Sequence, residues 1–124
     1  MKKYKIEILE DTFNFPSYLK FAGNKFKEYE QILYASAIDF YLKQLIKNKR
    51  NSIKLIIIPK NNLMKGSFAN IVLNSEALKN NNFILNINKN VSYKNMLNYI
   101  AHEITHIAQI VNGRLSTKDF KTLQ

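Results

Sequence analysis

The sequence predicts an α+β domain that combines two long helices with a small, mostly antiparallel sheet of three to four strands. Two observations predict this class. Apolar residues recur at helical spacing over 25–48 and again over 93–112, without glycine or proline inside either stretch. Between these stretches lie short segments rich in β-branched residues. A length of 124 residues suits one hydrophobic core, so a single domain is expected over 1–124.

The first part of the chain is expected to hold a strand, a loop and the first long helix. Residues 4–9 alternate between apolar and charged side chains, which is typical of a short strand. The stretch FNFPSYLKFAGN follows, and its proline and glycine indicate that residues 1–24 end in a loop. The helix is predicted over 25–50. Its apolar face is assigned to Phe26, Tyr29, Ile32, Leu33, Ser36, Ala37, Phe40, Tyr41 and Ile46.

Three strands are predicted over 52–88. SIKLIIIP at 52–59 is rich in β-branched residues and ends at a proline, as a largely buried strand would. GSFANIVLN at 66–74 and FILNIN at 83–88 are two further strands, joined by the polar segment SEALKNNN. These two strands are expected to pair antiparallel.

The second long helix is predicted over 92–113. Ser92 offers an N-cap, and Gly113 is placed to end the helix. The polar tail at 114–124 is expected to fray. The apolar stripe of this helix comprises Leu97, Ile100, Ala101, Ile104, Ile107, Ala108 and Val111.

Composition limits the classes of function. The absence of cysteine excludes disulfides, thiolate metal sites and a cysteine nucleophile, so a transition-metal site must use imidazole and carboxylate. No stretch reaches the roughly 20 apolar residues of a membrane span. Acidic residues interrupt the N-terminal run that an export signal would need. The net charge is +10, but the lysines are scattered and few arginines occur, so nucleic-acid binding is open but not favoured.

The stretch AHEITHIAQ at 101–109 contains the only two histidines of the chain. His102 and His106 stand one helical turn apart, so both imidazoles can reach one metal ion from the same side of the helix. Glu103 can take a proton from water near that ion without ligating it. Neutral imidazole suits zinc as a ligand, and zinc lowers the pKa of its bound water toward about 7. The spacing therefore predicts a zinc site of the HExxH type.

The position of the two histidines on the helix supports a ligand role. They project nearly opposite the apolar stripe, on the same side as Asn95, Gln109 and Gly113. Side chains on this side are not needed to fill the core. The histidines are therefore expected to be available to a metal ion.

HEITH on a helix that follows a helix and three strands resembles the zincin metallopeptidases. In its small size the chain is similar to minimal zincin domains, which include SprT-like proteins, minigluzincins and metallopeptidase-like proteins of bacteriophages. The resemblance covers about residues 25–113 and is sharpest at HEITH. It implies that His102 and His106 bind Zn²⁺ and that Glu103 is the general base. It also implies that one of the last two predicted strands is a sheet edge that pairs with an extended peptide.

A catalytic zinc site usually has a third protein ligand, and here the chain departs from the family's patterns. Metzincin-like chains continue with a glycine and then a histidine or aspartate, at positions that are Gln109 and Asn112 here. Gluzincin-like and SprT-like chains have a later glutamate or histidine, and neither follows His106. Asp119 is the candidate third ligand. The alternatives are an earlier carboxylate such as Glu76, a ligand from another chain, or a site that binds zinc weakly or not at all.

Three hypotheses about function follow from the residues and the resemblance. The first is a zinc-dependent metallopeptidase that hydrolyses peptide bonds, with Arg114 or Tyr99 as candidates for stabilising the transition state. The second is a catalytically impaired, zincin-like structural or interaction protein, such as a phage virion component. The third is a SprT-like peptidase that acts on DNA-bound proteins. We accordingly expect a peptide or protein substrate, or an assembly partner that supplies missing contacts, and a cytoplasmic or virion-associated location.

Overall fold

The fold is α+β, and the described residues form three helices and a mixed sheet of four strands. The computed structural model describes residues 13–22, 26–47, 52–61, 68–72 and 74–113. In chain order the elements are β1 (Leu19–Phe21), α1 (Glu28–Leu45), β2 (Lys54–Lys60), β3 (Ala69–Ile71), α2 (Ser75–Asn80), β4 (Asn82–Asn88) and α3 (Tyr93–Val111). The strand predicted over 4–9 and the tail over 114–124 lie outside the described residues.

The strands are arranged in the order β1-β2-β4-β3. β3 pairs antiparallel with β4, as predicted, but β1 pairs parallel with β2 and β2 pairs parallel with β4. The prediction of a mostly antiparallel sheet is therefore wrong. The physical reason lies in the connections, because α1 carries the chain from the end of β1 back to the start of β2. The segment that contains β3 and α2 does the same between β2 and β4, and such crossovers give parallel pairs.

β1 lies inside the stretch that was predicted to be a loop. Its three residues pair with the start of β2, with Leu19 beside Leu55 and Phe21 beside Ile57. A turn closed by the Leu19 N–H and the Pro16 carbonyl precedes the strand. Three residues are too few to show an alternating pattern, so this strand depends on its partner for stability and is not visible in the sequence alone.

α2 lies inside SEALKNNN, which was predicted to be a polar connection. The side chain of Asn74 accepts a hydrogen bond from the Ala77 N–H at 3.0 Å and so caps the N-terminus of the helix. Asn81 ends the helix in the left-handed conformation, with φ at 56°. The two asparagines therefore define a six-residue helix. Of the described residues in the predicted strand at 66–74, Ala69–Ile71 form β3 and Asn74 caps α2.

The core lies on one face of the sheet. α1 packs against α3, and α3 also contacts β3 and β4. Alternate residues of β2 and β4 point into this core, whereas Ile56, on the opposite face of β2, keeps 40% of its surface exposed. The largest fully buried side chains are Ile38, Leu42, Ile53, Leu55, Ile57, Phe83, Leu85, Ile87, Met96, Ile100, Ile104 and Ile107.

α1 confirms the predicted long helix but buries a different face. Tyr34, Ala35, Ile38 and Leu42 are buried, whereas Phe40, which was assigned to the apolar face, is 59% exposed. Apolar residues occur all round this helix, so hydrophobicity alone does not define its inner side. The contact with α3 decides which side is buried.

α3 agrees closely with the predicted second helix. Ser92 lies at the N-cap position, although its side chain makes no capping hydrogen bond. Asn112 is the C-cap residue, and Gly113 follows it with φ at 72°, a left-handed conformation that glycine adopts without strain. Ile100, Ile104 and most of the predicted stripe are buried. Within the described ranges, no helix is long and apolar enough to cross a membrane.

The two faces of α1 give a prediction about stability. Ile38→Ala opens a cavity in the core between α1 and α3, and we expect it to lower the free energy of unfolding by about 2–5 kcal/mol. Phe40→Ala, on the exposed side of the same helix, should lower it by about 1 kcal/mol or less. Urea denaturation followed by circular dichroism measures both. Equal losses for the two variants would contradict the face of α1 described above.

Candidate metal centre

The two histidines of α3 converge on one another at the surface of the helix. The Nε2 atoms of His102 and His106 lie 3.1 Å apart. Their ring centroids are 4.6 Å apart, and the planes meet at 84°. The His102 side chain is exposed and the His106 side chain is half-buried. Both rings therefore lie outside the fully buried core, as their positions on the helix predict.

The distance between the two Nε2 atoms suits two ligands of a single zinc ion. Nitrogens that each lie about 2.0–2.1 Å from one tetrahedral ion are about 3.3 Å apart. Without a metal ion, the same contact is a hydrogen bond in which one Nε2 donates and the other accepts. The observed separation of 3.1 Å is close to this value, so the pair fits a metal site with two imidazole ligands.

Glu103 is the one buried charged side chain among the described residues, with 5% of its surface exposed. Its carboxylate accepts a hydrogen bond from the backbone N–H of Ile71 in β3. Burial raises the pKa of the Glu103 carboxyl above its ordinary value of 4.5, whereas the two histidines and the Ile71 N–H act in the opposite direction. A carboxylate whose pKa is raised accepts a proton more readily, as a general base requires.

β3 forms one edge of the described sheet, and part of its backbone points outward. The residues on either side of this strand, Phe68 and Val72, hydrogen-bond to β4 through their backbones. Because backbone groups alternate in direction along a strand, those of Ala69 and Ile71 point away from β4. Glu103 therefore binds one of the outward N–H groups. Of the two strands that were candidates for this edge, the earlier one forms it, and β4 is enclosed by β2 and β3.

Gln109 contacts the second histidine from one turn further along α3. Its Oε1 atom lies 3.2 Å from Nδ1 of His106. The sequence identified Gln109 only as a departure from the metzincin pattern, so this contact was not predicted. The available signal was its spacing, because residues three apart on a helix are neighbours. A hydrogen bond at the ring nitrogen that does not face the ion is typical of metal-binding histidines.

Tyr99, one of the two candidates for stabilising a transition state, lies one turn before His102 on α3. Its ring stacks on Phe68 with centroids 4.7 Å apart and 26° between the planes. Tyr99 is half-buried, whereas Phe68 keeps 38% of its surface exposed. The two rings thus form an aromatic pair between α3 and the start of β3. Arg114, the other candidate, lies outside the described residues.

The described residues bring together two candidate metal ligands. Within them, no group of three or more histidine, aspartate or glutamate side chains is arranged to hold a metal ion. Glu76, the earlier carboxylate considered as a third ligand, lies on α2 and accepts hydrogen bonds from Asn80 and Asn82 at 3.0 and 2.9 Å. These bonds lower the pKa of its carboxyl, so its carboxylate is already engaged. Asp119 lies outside the described residues and stays a prediction.

The burial of Glu103 predicts how the stability of the metal-free protein depends on pH. Because its pKa is raised in the folded state, the folded chain holds this proton to a higher pH than the unfolded chain does. The free energy of unfolding therefore falls as the pH rises from about 4.5 through the folded pKa. Glutamine still accepts the Ile71 N–H and does not ionise. We expect metal-free Glu103→Gln to be more stable than the wild type at about pH 8, with the difference vanishing below about pH 4.

Urea denaturation of both proteins in the presence of a chelator, at several pH values, measures this difference. Glu28→Gln, at an exposed position in the first turn of α1, controls for the loss of one negative charge from a basic protein. A wild type that equals or exceeds Glu103→Gln in stability at about pH 8 would show that ionised Glu103 carries no burial cost.

Comparisons of the chain with protein families, with curated proteins and with solved structures find no match. Four features bear on function, namely the histidine pair, the buried carboxylate, the edge strand and the resemblance carried by HEITH.

Proposed function

We propose that this protein is a zinc-dependent metallopeptidase that hydrolyses peptide bonds. One observation carries the proposal, namely the convergence of the His102 and His106 Nε2 atoms to 3.1 Å beside a buried carboxylate. The two imidazoles would hold Zn²⁺, and Glu103 would act as general base. The resemblance to the zincins implies the same roles for the same three residues.

The proposed reaction divides the chemistry between the ion and the chain. When bound, zinc supplies a Lewis acid that polarises the scissile carbonyl and lowers the pKa of water. Glu103 takes a proton from the attacking water as the water oxygen bonds to the carbonyl carbon. The same carboxyl then delivers this proton to the amide nitrogen as the C–N bond breaks. The second proton of the water also passes to the nitrogen, so one water is consumed and one carboxylate and one protonated amine are formed.

The edge strand supports a peptide as the substrate. The outward backbone groups of Ala69, together with the Ile71 carbonyl, are oriented to pair with an extended segment. Because Glu103 binds the Ile71 N–H, a segment that pairs there would run beside the proposed base. The Phe68 and Tyr99 rings would border this segment at the start of β3. This arrangement would hold the amide close to the reacting groups, which is a large part of what an enzyme contributes.

The third protein ligand is proposed to be Asp119, reached after the chain turns at Gly113. Gly113 lies seven residues beyond His106, just after the C-cap of α3, and its left-handed conformation permits such a turn. With the Asp119 carboxylate, the zinc ion would have three protein ligands, and its fourth position would be free for water. Arg114, adjacent to the turn in sequence, is the candidate for stabilising negative charge in the transition state.

A second candidate function is that of a catalytically impaired, zincin-like structural or interaction protein, such as a phage virion component. One observation favours it. Among the described residues the two histidines satisfy one another by a hydrogen bond and no third ligand joins them. A third candidate is a SprT-like peptidase that acts on DNA-bound proteins, which the net charge of +10 would assist by attracting a polyanion.

Zinc binding is the first test of the proposal. We expect the purified protein to bind about one zinc ion per chain, and His102→Ala and His106→Ala to lose this ion because each removes a ligand. Removal of a hydrogen-bond partner of a ligand typically weakens metal binding about 10–100-fold. The zinc affinity of these two variants should fall by more than that. Elemental analysis and competition with a chromophoric chelator measure both. Absence of stoichiometric zinc at saturating concentration would overturn the metallopeptidase proposal.

Two further variants sharpen the zinc measurement. Thr105→Ala is the matched control, because Thr105 is exposed on the same turn and its hydroxyl donates to the Ala101 carbonyl instead of joining the site. Asp119→Ala tests the third ligand and should weaken zinc binding strongly. If Asp119→Ala binds zinc as tightly as the wild type, Asp119 is not a ligand. Affinity that rises with protein concentration would then indicate a ligand from a second chain.

Peptide hydrolysis is the second test. We expect the zinc-loaded protein to cleave casein or a fluorogenic peptide, and Glu103→Gln to lower kcat by about 10²–10⁴-fold because the general base is lost. Its zinc content should equal that of the wild type, since Glu103 is not a ligand. Unchanged activity in Glu103→Gln would remove this residue from the mechanism. A zinc-loaded wild type that cleaves no substrate would favour the structural protein instead.

A further inference from the structure

We infer that Gln109 is a positioning residue, which fixes His106 in the tautomer that carries its proton on Nδ1 and its free lone pair on Nε2. The consequence of this role for zinc binding rests on the proposed function. The role itself is a property of the metal-free chain. It distinguishes the two histidines, which the sequence motif treats as equivalent.

The contact between Gln109 and His106 favours one tautomer. Oε1 of Gln109 lies 3.2 Å from Nδ1 of His106, and an amide oxygen can only accept a hydrogen bond. In a hydrogen bond with this oxygen, Nδ1 carries the proton. A neutral imidazole has a single N–H, so Nε2 of His106 is left unprotonated. This is the nitrogen that faces His102.

The other histidine then has the opposite tautomer in the metal-free chain. Since Nε2 of His106 has no proton, the 3.1 Å contact is a hydrogen bond donated by Nε2 of His102. Among the described residues, no side chain holds Nδ1 of His102, and this side chain is exposed. His102 can therefore move its proton to Nδ1, through water, when its Nε2 is needed as a ligand. His106 needs no such change.

The structure thus assigns unequal parts to the two proposed ligands. His106 is held in ligand form by a residue one turn away on the same rigid helix. His102 adapts when the ion arrives. A hydrogen-bond partner at the second ring nitrogen also makes the first nitrogen more basic, and removal of such partners typically weakens metal binding about 10–100-fold.

The test compares three variants of the 124-residue chain. Gln109→Leu removes the acceptor at similar size, Gln109→Glu keeps an acceptor at the same place, and Thr105→Ala is again the control on the adjacent face of the helix. Long-range ¹H–¹⁵N correlation spectra of the metal-free protein, at a pH where both rings are neutral, report the tautomer of each histidine. Competition with a chromophoric chelator reports the affinity for zinc.

In the wild type and in Thr105→Ala, we expect His106 with its proton on Nδ1 and His102 with its proton on Nε2. Gln109→Leu should lose this fixed pattern and bind zinc about 10–100-fold more weakly. Gln109→Glu should keep the tautomer and bind zinc at least as tightly as the wild type. In the zinc-loaded wild type, both histidines should carry the proton on Nδ1.

The outcomes separate this inference from the proposed function. If the wild type binds zinc and Gln109→Leu has the same tautomers and the same affinity, the positioning role is refuted while the metal site stands. If the wild type binds no zinc, the metallopeptidase proposal fails. The spectra of the metal-free protein then still decide the role of Gln109, because a His106 proton found on Nε2 in the wild type would refute it.

Discussion

The hydrogen bond between the Glu103 carboxylate and the Ile71 N–H links α3 to the sheet edge at the candidate site. A buried carboxylate without a partner would be destabilising, so this bond and the buried apolar stripe of α3 both favour the observed rotation of α3 against β3. Consecutive residues of a helix are separated by about 100°, so His102 and His106, four residues apart, lie on the same side. When Glu103 faces the strand, this side lies next to the sheet edge. With α3 in this rotation, Glu103 and both imidazoles have defined positions relative to the sheet edge.

The parts of the fold that could be predicted are those that carry their own pattern. α3 has an apolar stripe and a terminal glycine. β2 and β4 have seven residues each, which is long enough for a strand to be recognised from its apolar and β-branched residues. β1 could not be predicted, because it owes its conformation to pairing with β2. α2 depends on hydrogen bonds of Asn74 and Asn81, which the sequence presents as part of a polar run. The parallel pairing of the strands could not be predicted either. It depends on the pairing of β1 with β2 and on the crossover that contains α2.

The candidate site divides in the same way. The spacing of His102, Glu103 and His106 indicates zinc chemistry and a common side of the helix. It does not indicate that Glu103 is buried against a strand, because the partner is a backbone N–H whose position depends on the register of the sheet. The contact of Gln109 was in principle readable from its spacing. The spacing alone does not show that the amide of Gln109 binds a histidine ring instead of solvent.

The short outer strands have a consequence for how the protein behaves at high concentration. An exposed sheet edge is a template on which other chains add strands, and proteins limit this hazard with short edges and lysines. Here both outer strands of the described sheet have three residues, one carries Lys20 at its centre, and the other has an N–H occupied by Glu103. Edges of this length can pair with a short extended segment, but they make too few hydrogen bonds to hold the strand of another sheet. Among the described residues, the two edges are therefore poor templates on which a folded copy of the chain could add a sheet.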